Sequence, residues 1–259
     1  MCGRYAATKD PATLVKEFDA VDNTEGMARP DHNVAPTKNV VTVVERHPRD
    51  ADGSVLEDEP AQRRLRVMRW GLVPFWAKDK SIGAKMINTR AETAASKPAF
   101  RKALKRHRCL VPADGWYEWQ RLGEKKGKQP YFMTPRDGSS LAFAGIWETW
   151  RDPKEKDAPP LVTCSVLTVD AVGPLTDIHD RMPLVLSKDA WRQWLDPDLD
   201  DVAELLQPPP LQVVDQLELR PVSNKVNSVR NNGPELIERV DPAQQLDEEP
   251  ALFDAPNSA

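Results

Sequence analysis

The sequence predicts a single α+β domain with a mostly antiparallel β core, barrel- or sandwich-like, flanked by short helices. Short segments that alternate apolar and polar residues recur along most of the chain, and turn-forming residues separate them. Helical patterns are fewer and scattered between the strands, which is typical of α+β domains. The 259 residues, 40% of them hydrophobic, are enough for one large domain or two small ones.

Four segments carry helical patterns. The Asp-Pro pair at residues 10–11 is typical of an N-cap and a first helical residue, and predicts a short helix through Phe18. The strongly basic segment 97–108 predicts a second helix. Two short helices are predicted at residues 189–195 and 201–207, and the proline triplet that follows ends the second of them.

Strands are predicted from alternation and from β-branched and aromatic residues. They cover residues 40–45, 64–70, 109–111, 115–120, 131–134, 141–147 and 161–168. A last strand pair, or one long strand, is predicted at residues 211–222. Residues 46–62 are polar with Asp-Gly near the middle, and predict a surface hairpin or an exposed loop rather than a domain linker. Residues 151–160, charged and proline-bearing, predict a loop.

Negative charge is concentrated at the end of the chain. The net charge is −4, but residues 235–259 alone carry −6, which leaves +2 for the rest. The acidic composition, with prolines and few aromatic residues, predicts a disordered tail at 238–259 after a domain at 1–237. A near-neutral body with basic patches is compatible with a phosphate backbone as partner, and equally with no anionic partner.

Cysteine usage and hydropathy set the expected compartment. The three cysteines, Cys2, Cys109 and Cys164, are odd in number and widely spaced, which argues against a disulfide framework and for a reducing compartment. No CxxC pair occurs, so we expect no zinc cluster of that kind, and we expect no other metal and no cofactor. We also expect no membrane span and no secretory signal, because no apolar segment is long enough for either.

Cys2 is the first residue with distinctive chemistry. A small residue at this position permits removal of Met1, which leaves a free α-amine and a thiol on adjacent carbons. An α-amine has a pKa of about 7.7–8.0 and is partly unprotonated near neutrality. It condenses with an aldehyde to an imine, and the thiol then closes a thiazolidine ring in an intramolecular step. By position alone, the interpretation of Cys2 as an incidental small residue is favoured.

Five short motifs, in order along the chain, resemble those of the SRAP family, the SOS-response-associated peptidases that cross-link to abasic DNA. They are MCGR at residues 1–4, NVAP at 33–36, INTRAE at 87–92, ADGWYEW at 113–119 and IHDRMP at 178–183. Residues 221–223 and 231–237 are similar to the closing segment of that family. The loops 46–62 and 151–160 and the acidic tail have no match and receive no role.

The resemblance implies chemical roles for four residues. Cys2 is the expected nucleophile, Asn88 holds the sugar or the Cys2 backbone, Glu118 moves protons, and His179 assists opening of the sugar ring. A carboxylate suits the proton transfers of imine formation, and histidine titrates in the right range for an acid near the ring oxygen. Simpler interpretations exist for three of them: Glu118 as an exposed strand residue, His179 as a surface cap, and Asn88 as a turn former.

The resemblance and residue chemistry also give candidate DNA contacts. These are Arg4, Arg90, Arg181, Phe75, Trp76 and Pro36. Each arginine lies beside a proposed site residue, and a guanidinium suits bidentate phosphate binding. Phe75 and Trp76 could stack on bases or wedge against a duplex end, although core packing is the commoner use of a single aromatic residue. The basic segment 97–108 is either a weaker candidate or a solvated helix face.

The sequence therefore predicts a protein that senses abasic sites in single-stranded DNA and forms a thiazolidine cross-link through Cys2. The expected partner is such DNA, the expected state is monomeric, and the expected location is cytoplasmic and nucleoid-associated, with replication-fork proteins as unassigned partners. Met1 leaves either by self-cleavage or by a separate aminopeptidase. Three alternatives stay open: a glutamine amidotransferase of the N-terminal-cysteine type, a general thiol peptidase, and a non-covalent single-strand-binding module.

Overall fold

The structure, a computed structural model, describes residues 3–123, 127–155 and 157–242. The strands in these ranges are β1 (Tyr5–Ala7), β2 (Val21–Asp22), β3 (Asp31–Val34), β4 (Asn39–Arg46), β5 (Gln62–Trp70), β6 (Asn88–Arg90), β7 (Arg108–Ala113), β8 (Gly115–Arg121), β9 (Lys128–Pro135), β10 (Leu141–Trp150), β11 (Leu161–Asp170), β12 (Arg181–Pro183) and β13 (Leu217–Pro221). The α-helices are α1 (Pro11–Phe18), α2 (Ala91–Ala94), α3 (Arg101–Arg106), α4 (Trp191–Leu195) and α5 (Leu211–Asp215). Short 3-10 helices occupy Lys80–Lys85, Gly173–Asp177, Lys188–Ala190, Ala203–Leu206, Asn224–Asn227 and Pro234–Ile237.

The strands form two sheets, and one of them closes on itself. The first has the order β13-β9-β8-β1-β3 and is antiparallel throughout. The second has the order β12-β11-β10-β7-β4-β5-β2, with β6 paired to β11. A short parallel pairing of β5 with β11, Thr163 opposite Arg69, closes β4, β5, β11, β10 and β7 into a ring. The predicted class, α+β with a mostly antiparallel, barrel-like core, is confirmed.

Aromatic side chains fill the interior between the sheets. Six of the eight tryptophans are buried, and Trp70, Trp116 and Trp194 are fully enclosed. Tyr5 of β1 meets Trp70 edge-on at 5.2 Å between ring centroids. Burial on this scale means that most tryptophans serve the core, where aromatic side chains contribute large apolar areas. β1 is thereby fixed to the core close to the start of the chain.

Two predicted helices show opposite outcomes. Helix α1 begins as expected, because the Asp10 side chain accepts a hydrogen bond from the Thr13 backbone N–H at 3.0 Å. The helix predicted at 97–108 covers only Arg101–Arg106. Arg108 instead opens β7 and is buried, where its guanidinium donates to five backbone carbonyls. These carbonyls belong to the ends of α3 and α4 and to the loop after α4, and no local pattern in the sequence reveals them.

The strand predicted at 211–222 is wrong over its first half. Residues Leu211–Asp215 form α5, and the strand is restricted to Leu217–Pro221. Val214 is buried while Leu211 is exposed, so helical packing overrides the β propensity of the two adjacent valines. The hairpin predicted at 46–62 is confirmed by an Arg49–Val55 bridge around Gly53, whose φ of 84° favours glycine.

Three further expectations concern features outside the sheets. Among the described residues, no helix has the length and apolar character needed to cross a membrane. Across the same ranges no group of three or more His, Cys, Asp or Glu side chains is arranged to hold a metal ion. The predicted acidic tail lies outside the described residues from position 243 onward, as does Cys2.

Candidate functional site

Strand β8 carries a buried carboxyl group into a narrow crevice. Gly115, at the start of β8, permits the close approach of β9, because a Cβ there would lie 2.3 Å from the Met133 carbonyl oxygen. Glu118 lies on the same strand face as the core residue Trp116 and is only 3% exposed, so the interpretation as an exposed strand residue is wrong. Burial, with the charge of Asp180, raises the pKa of Glu118 to about 7. A carboxyl group with that pKa both donates and accepts protons near neutrality.

The crevice brings Glu118 together with His179. Its lining residues are Trp116, Glu118, Met133, Leu175, Ile178, His179, Arg181 and Met182. His179 follows a 3-10 turn that is tied to β8 by a hydrogen bond from Gln120 Nε2 to the Asp177 carbonyl at 3.0 Å. We refer to this feature as the Glu118 crevice.

The protonation state of His179 follows from its contacts. The Arg181 backbone N–H donates to His179 Nδ1 at 3.0 Å, a contact that favours the neutral tautomer with its proton on Nε2. Asp180 Oδ1 lies 2.7 Å from the same Nδ1, a contact that favours a proton on Nδ1, in the neutral or in the charged ring. Burial lowers the pKa of His179, with Arg121 and Lys128 adding to it, so the neutral form prevails at neutral pH. In the tautomer that accepts from the Arg181 N–H, neutral His179 is a hydrogen-bond donor through Nε2.

Arg181 is held inside the protein rather than presented to solvent. It is 8% exposed, and its terminal nitrogens donate to Glu92 Oε1 at 2.7 Å, Asp170 Oδ1 at 2.5 Å and the Thr168 carbonyl at 2.6 Å. Hydrogen bonding to Arg181 also lowers the pKa of Glu92. The Nε of Arg181 has no hydrogen bond to another described residue, but it is buried as well. A phosphate contact by Arg181 therefore requires that these carboxylates be displaced.

Asn88 and Arg90 lie on the other side of β11 from Arg181. In the parallel pairing of β6 with β11, Asn88 is opposite Val166 and Arg90 is opposite Thr168, the residue that Arg181 contacts. Asn88 is half-buried and Arg90 is exposed. Both side chains point to the same face of β6, because they are two positions apart in the strand. The structure thus places Arg90 where a phosphate can reach it.

Arg4 and Asn33 connect the first strand to the end of the described chain. Arg4 Nη1 donates to Asn33 Oδ1 at 2.7 Å and to the Val226 carbonyl at 2.9 Å. The Asn33 amide nitrogen donates in turn to the carbonyls of Val226, Ser228 and Asn231, at 3.3, 3.0 and 2.9 Å. Asn33, the asparagine of the NVAP motif, therefore joins the start of the domain to its end, and we refer to these contacts as the clamp. The Arg4 guanidinium group is engaged in the clamp.

Replacing Asn33 by alanine is expected to loosen this clamp. Asn33 is fully buried, and the change leaves buried carbonyls and Arg4 without their partner, which costs on the order of 1–3 kcal/mol of unfolding free energy. Denaturant unfolding measures the loss, and faster amide exchange at residues 226–231 locates it. The matched control is Asn39→Ala at the exposed first residue of β4, expected to change stability by less than about 0.5 kcal/mol. Equal stability of the two variants would contradict the clamp.

The remaining predicted DNA contacts lie away from the Glu118 crevice. Phe75 and Trp76 are 57% and 51% exposed, on the loop that follows β5. Pro36 is half-buried in the turn after β3, where the next residue, Thr37, donates its backbone N–H to the Trp70 carbonyl at 2.9 Å. None of these three lines the crevice. The exposed pair has the form expected of a stacking surface.

A larger cleft holds none of the predicted site residues. It has a volume of about 340 Å³ and lies beside β1, β3 and β4, with an apolar floor that includes Tyr5 and Val40. Its charged rim is already paired internally, since Lys38 contacts Asp31 at 2.6 Å and Lys9 contacts Glu17 at 2.5 Å. The chemistry of the molecule therefore points to the narrow crevice rather than to the larger space.

Sequence reasoning missed residues that support the site. Glu92, inside the INTRAE motif, holds Arg181, and Gln120 anchors the turn before His179. Trp119 donates to Asn227 Oδ1 at 2.7 Å, and its ring lies 5.9 Å from the Arg4 guanidinium carbon. The first two contacts join segments far apart in the chain, so the only signal for them in the sequence is the INTRAE motif, which contains Glu92.

These features define a class of protein: a barrel-like α+β domain with a buried carboxyl group and a histidine in one narrow crevice. The chain belongs to the SOS response associated peptidase (SRAP) family, whose family model matches residues 1–229. The resemblance inferred from the five motifs is thereby confirmed.

Named relatives and solved structures agree with this membership. The chain is 42% identical to abasic site processing protein YoqW of Bacillus subtilis, over 92% of this chain and 99% of that one. It is 34% identical to abasic site processing protein HMCES of Gallus gallus, over 92% and 77% of the two chains. A Bacteroides thetaiotaomicron crystal structure shares the fold at a TM-score of 0.73 and 24% identity, over 92% of this chain and all of that chain. A Bordetella bronchiseptica structure has a TM-score of 0.67 at 27% identity, over 86% and 100%.

Proposed function

We propose that this protein processes abasic sites in single-stranded DNA by forming a thiazolidine cross-link through Cys2 after Met1 is removed. The observation that carries the proposal is the buried Glu118, with its pKa of about 7, beside His179 in the crevice. The Tyr117 backbone N–H donates to the Arg4 carbonyl at 2.9 Å, so the chain enters β1 alongside β8 and Glu118. Support also comes from the relatives, which are named abasic site processing proteins.

The reaction begins when the α-amine of Cys2 attacks the aldehyde carbon of the opened abasic sugar. Nitrogen gains a bond to that carbon, and loss of one water from the resulting carbinolamine gives an imine. The Cys2 thiol then adds across the imine bond, so that sulfur binds the carbon and a proton ends on nitrogen. Glu118 accepts a proton from the attacking amine and returns one to the departing hydroxyl, which a carboxyl group titrating near pH 7 can do at both steps.

The other site residues prepare the aldehyde. An abasic sugar is mostly a closed hemiacetal, and His179 promotes its opening by donating through Nε2 toward the ring oxygen. Asn88 holds the sugar or the Cys2 backbone by hydrogen bonds, and the exposed Arg90 binds a neighbouring phosphate. Arg4 and Arg181 act mainly by fixing the surrounding strands, because their guanidinium groups are engaged within the protein.

Removal of Met1 is the remaining step, and we assign it to the same site. Hydrolysis of the peptide bond between Met1 and Cys2 consumes one water, releases methionine and frees the α-amine. Purified precursor that loses Met1 without added aminopeptidase, as seen by intact mass, supports self-cleavage.

The direct test is a denaturing gel of the mature protein with single-stranded DNA. A DNA-bound protein band is expected with DNA that contains one abasic site, and no band is expected with the same sequence undamaged. Equal banding with both, or none with either, overturns the proposal. A glutamine hydrolysis assay serves as the second arm, since glutaminase activity without a cross-link identifies an amidotransferase instead.

A further inference from the structure

An arginine and an aromatic stack lie on the outer face of the ring of strands. Arg46, at the end of β4, has its guanidinium carbon 5.0 Å from the centroid of the Trp147 ring. Trp147 stacks in turn on His107 at 4.3 Å between centroids. Arg46 Nη1 also donates to the Arg106 carbonyl at the end of α3, at 2.7 Å. These contacts hold Arg46 rigidly against the end of a basic helix.

Further cations surround this stack. Burial and the charges of neighbouring arginines, Arg66 and Arg106 among them, lower the pKa of Arg46 to about 10. Burial lowers the pKa of His107 to about 4, and the charges of Arg46 and Lys102 contribute. We define the basic band as Arg46, Arg66, Lys102 and Arg106, of which all but the half-buried Arg46 are exposed.

Few carboxylates neutralise the basic band. Of the four residues of the basic band, only Arg106 has an ion pair within the part of the chain that the structure describes, to Asp200 at 3.0 Å. Glu148, 3.6 Å from the His107 ring, is 5% exposed, and its burial keeps it from the surface. Glu45 is occupied by Arg63 at 2.7 Å. Clustered like charges repel one another, so an approaching anion lowers the electrostatic free energy of the basic band.

The basic band continues into the exposed aromatic pair. Lys102 Nζ lies 4.9 Å from the centroid of the Phe75 ring, and Trp76 follows at 51% exposure. The loop that carries them follows β5 and contacts β11 at Thr163, whose hydroxyl accepts from the Val73 N–H, three residues from the position opposite Asn88. Three residues along a strand span roughly 10 Å, so this loop begins close to the strand that carries Asn88.

We propose that the basic band is a second phosphate-binding surface, which holds the DNA backbone flanking the lesion beyond Phe75. Alternating cations and an exposed aromatic face suit a nucleic acid, whose phosphates repeat along a strand and whose bases stack on aromatic rings. The choice of DNA as partner rests on the proposed function. The surface itself rests on the arrangement of Arg46, Arg66, Lys102 and Arg106.

The test compares the double variant Lys102→Glu/Arg66→Glu with Lys16→Glu/Arg192→Glu. The control reverses two exposed cations on α1 and α4, where Phe18 stacks on Trp191, and changes the net charge equally. Two DNAs are used: an abasic oligonucleotide of about five residues, and a DNA of about 25 residues with a central abasic site and a duplex arm. Binding of the longer DNA is measured from about 50 to about 200 mM salt, and cross-link yield is measured on both.

The basic-band variant is expected to cross-link the short oligonucleotide normally but to bind the longer DNA more weakly. Losing two duplex phosphate contacts reduces the salt slope by about 1.8, so the change in affinity across that salt range shrinks about tenfold. The control keeps the wild-type slope. An unchanged slope in the basic-band variant, or an equal change in the control, overturns the inference, as does loss of the short-oligonucleotide cross-link in that variant alone. Failure of every protein, wild type included, to cross-link either DNA instead overturns the proposed function.

Discussion

Cys2→Ala is expected to abolish the stable cross-link while leaving the first covalent step intact. Alanine is small, so Met1 can still be removed, and the free α-amine still attacks the aldehyde. Borohydride should therefore trap an imine between this variant and abasic DNA. Without a thiol no thiazolidine closes, and the imine is lost to hydrolysis or promotes β-elimination and nicking. In the wild type, ring closure by the Cys2 thiol is intramolecular, and such reactions have effective molarities of about 10⁵–10⁸ M. The variant lacks this step, so we expect almost no unreduced cross-link.

The matched control removes a thiol elsewhere. Cys164 is buried, and burial raises its pKa to about 12, so its thiolate is negligible at neutral pH. Cys164→Ala should cross-link at wild-type yield, measured on denaturing gels with and without borohydride. A stable cross-link from Cys2→Ala without reductant would assign the attachment to a lysine or to the amine alone.

Glu118→Gln is expected to slow cross-linking by about 10²–10⁴-fold, the usual contribution of a positioned acid–base group. The amide keeps the size of the side chain but carries no exchangeable acidic proton. In the wild type, the pH–rate profile should show a limb near pH 7 from Glu118, in addition to the limb of the α-amine. In the variant the limb near pH 7 should be absent. Single-turnover rates on an abasic oligonucleotide between about pH 5 and 9 measure both effects.

The same substitution should stabilise the protein, with a defined pH dependence. The pKa of Glu118 is about 7 in the folded state and near its ordinary value of 4.5 when unfolded. Between these values the folded state holds more protons, so the wild type loses stability as pH rises from about 4.5 to 7, by on the order of 3 kcal/mol. Glutamine does not ionise, so Glu118→Gln should exceed the wild type above pH 7 and approach it below about pH 4.5.

Glu148→Gln is the control for burial alone, because Glu148 is the other buried glutamate among the described residues. It lies on β10 against His107, away from the Glu118 crevice. This variant should cross-link at the wild-type rate. A similar rate for Glu118→Gln and wild type, or the same pH profile in both, would remove Glu118 from the proton-transfer steps.

Local patterns predicted an element correctly where the residues of that element alone determine its conformation. Helix α1 was readable because Asp10 and Pro11 begin it without help from distant residues. Residues 211–215 were misread because adjacent valines fit either state, and the choice depends on which face packs. The very short strands β1, β6 and β12 carry too few residues for a period, and they exist only because longer strands pair with them.

The candidate site divides in the same way. Motifs identified Glu118 and His179, and the structure places them in one crevice. Burial was the missing quantity: Arg181 and Arg4 look like surface cations in the sequence, but carboxylates and carbonyls from distant segments enclose them. Asn33 was passed over for the same reason, since its three carbonyl acceptors lie about two hundred residues further along the chain.

That separation has a consequence for biosynthesis. A chain still emerging from the ribosome lacks residues 226–231 until they have been synthesised, and until then Asn33 has no carbonyls to bind and Arg4 lacks one of its two acceptors. The clamp between Arg4, Asn33 and residues 226–231 therefore forms late in folding, after most of both sheets has been synthesised.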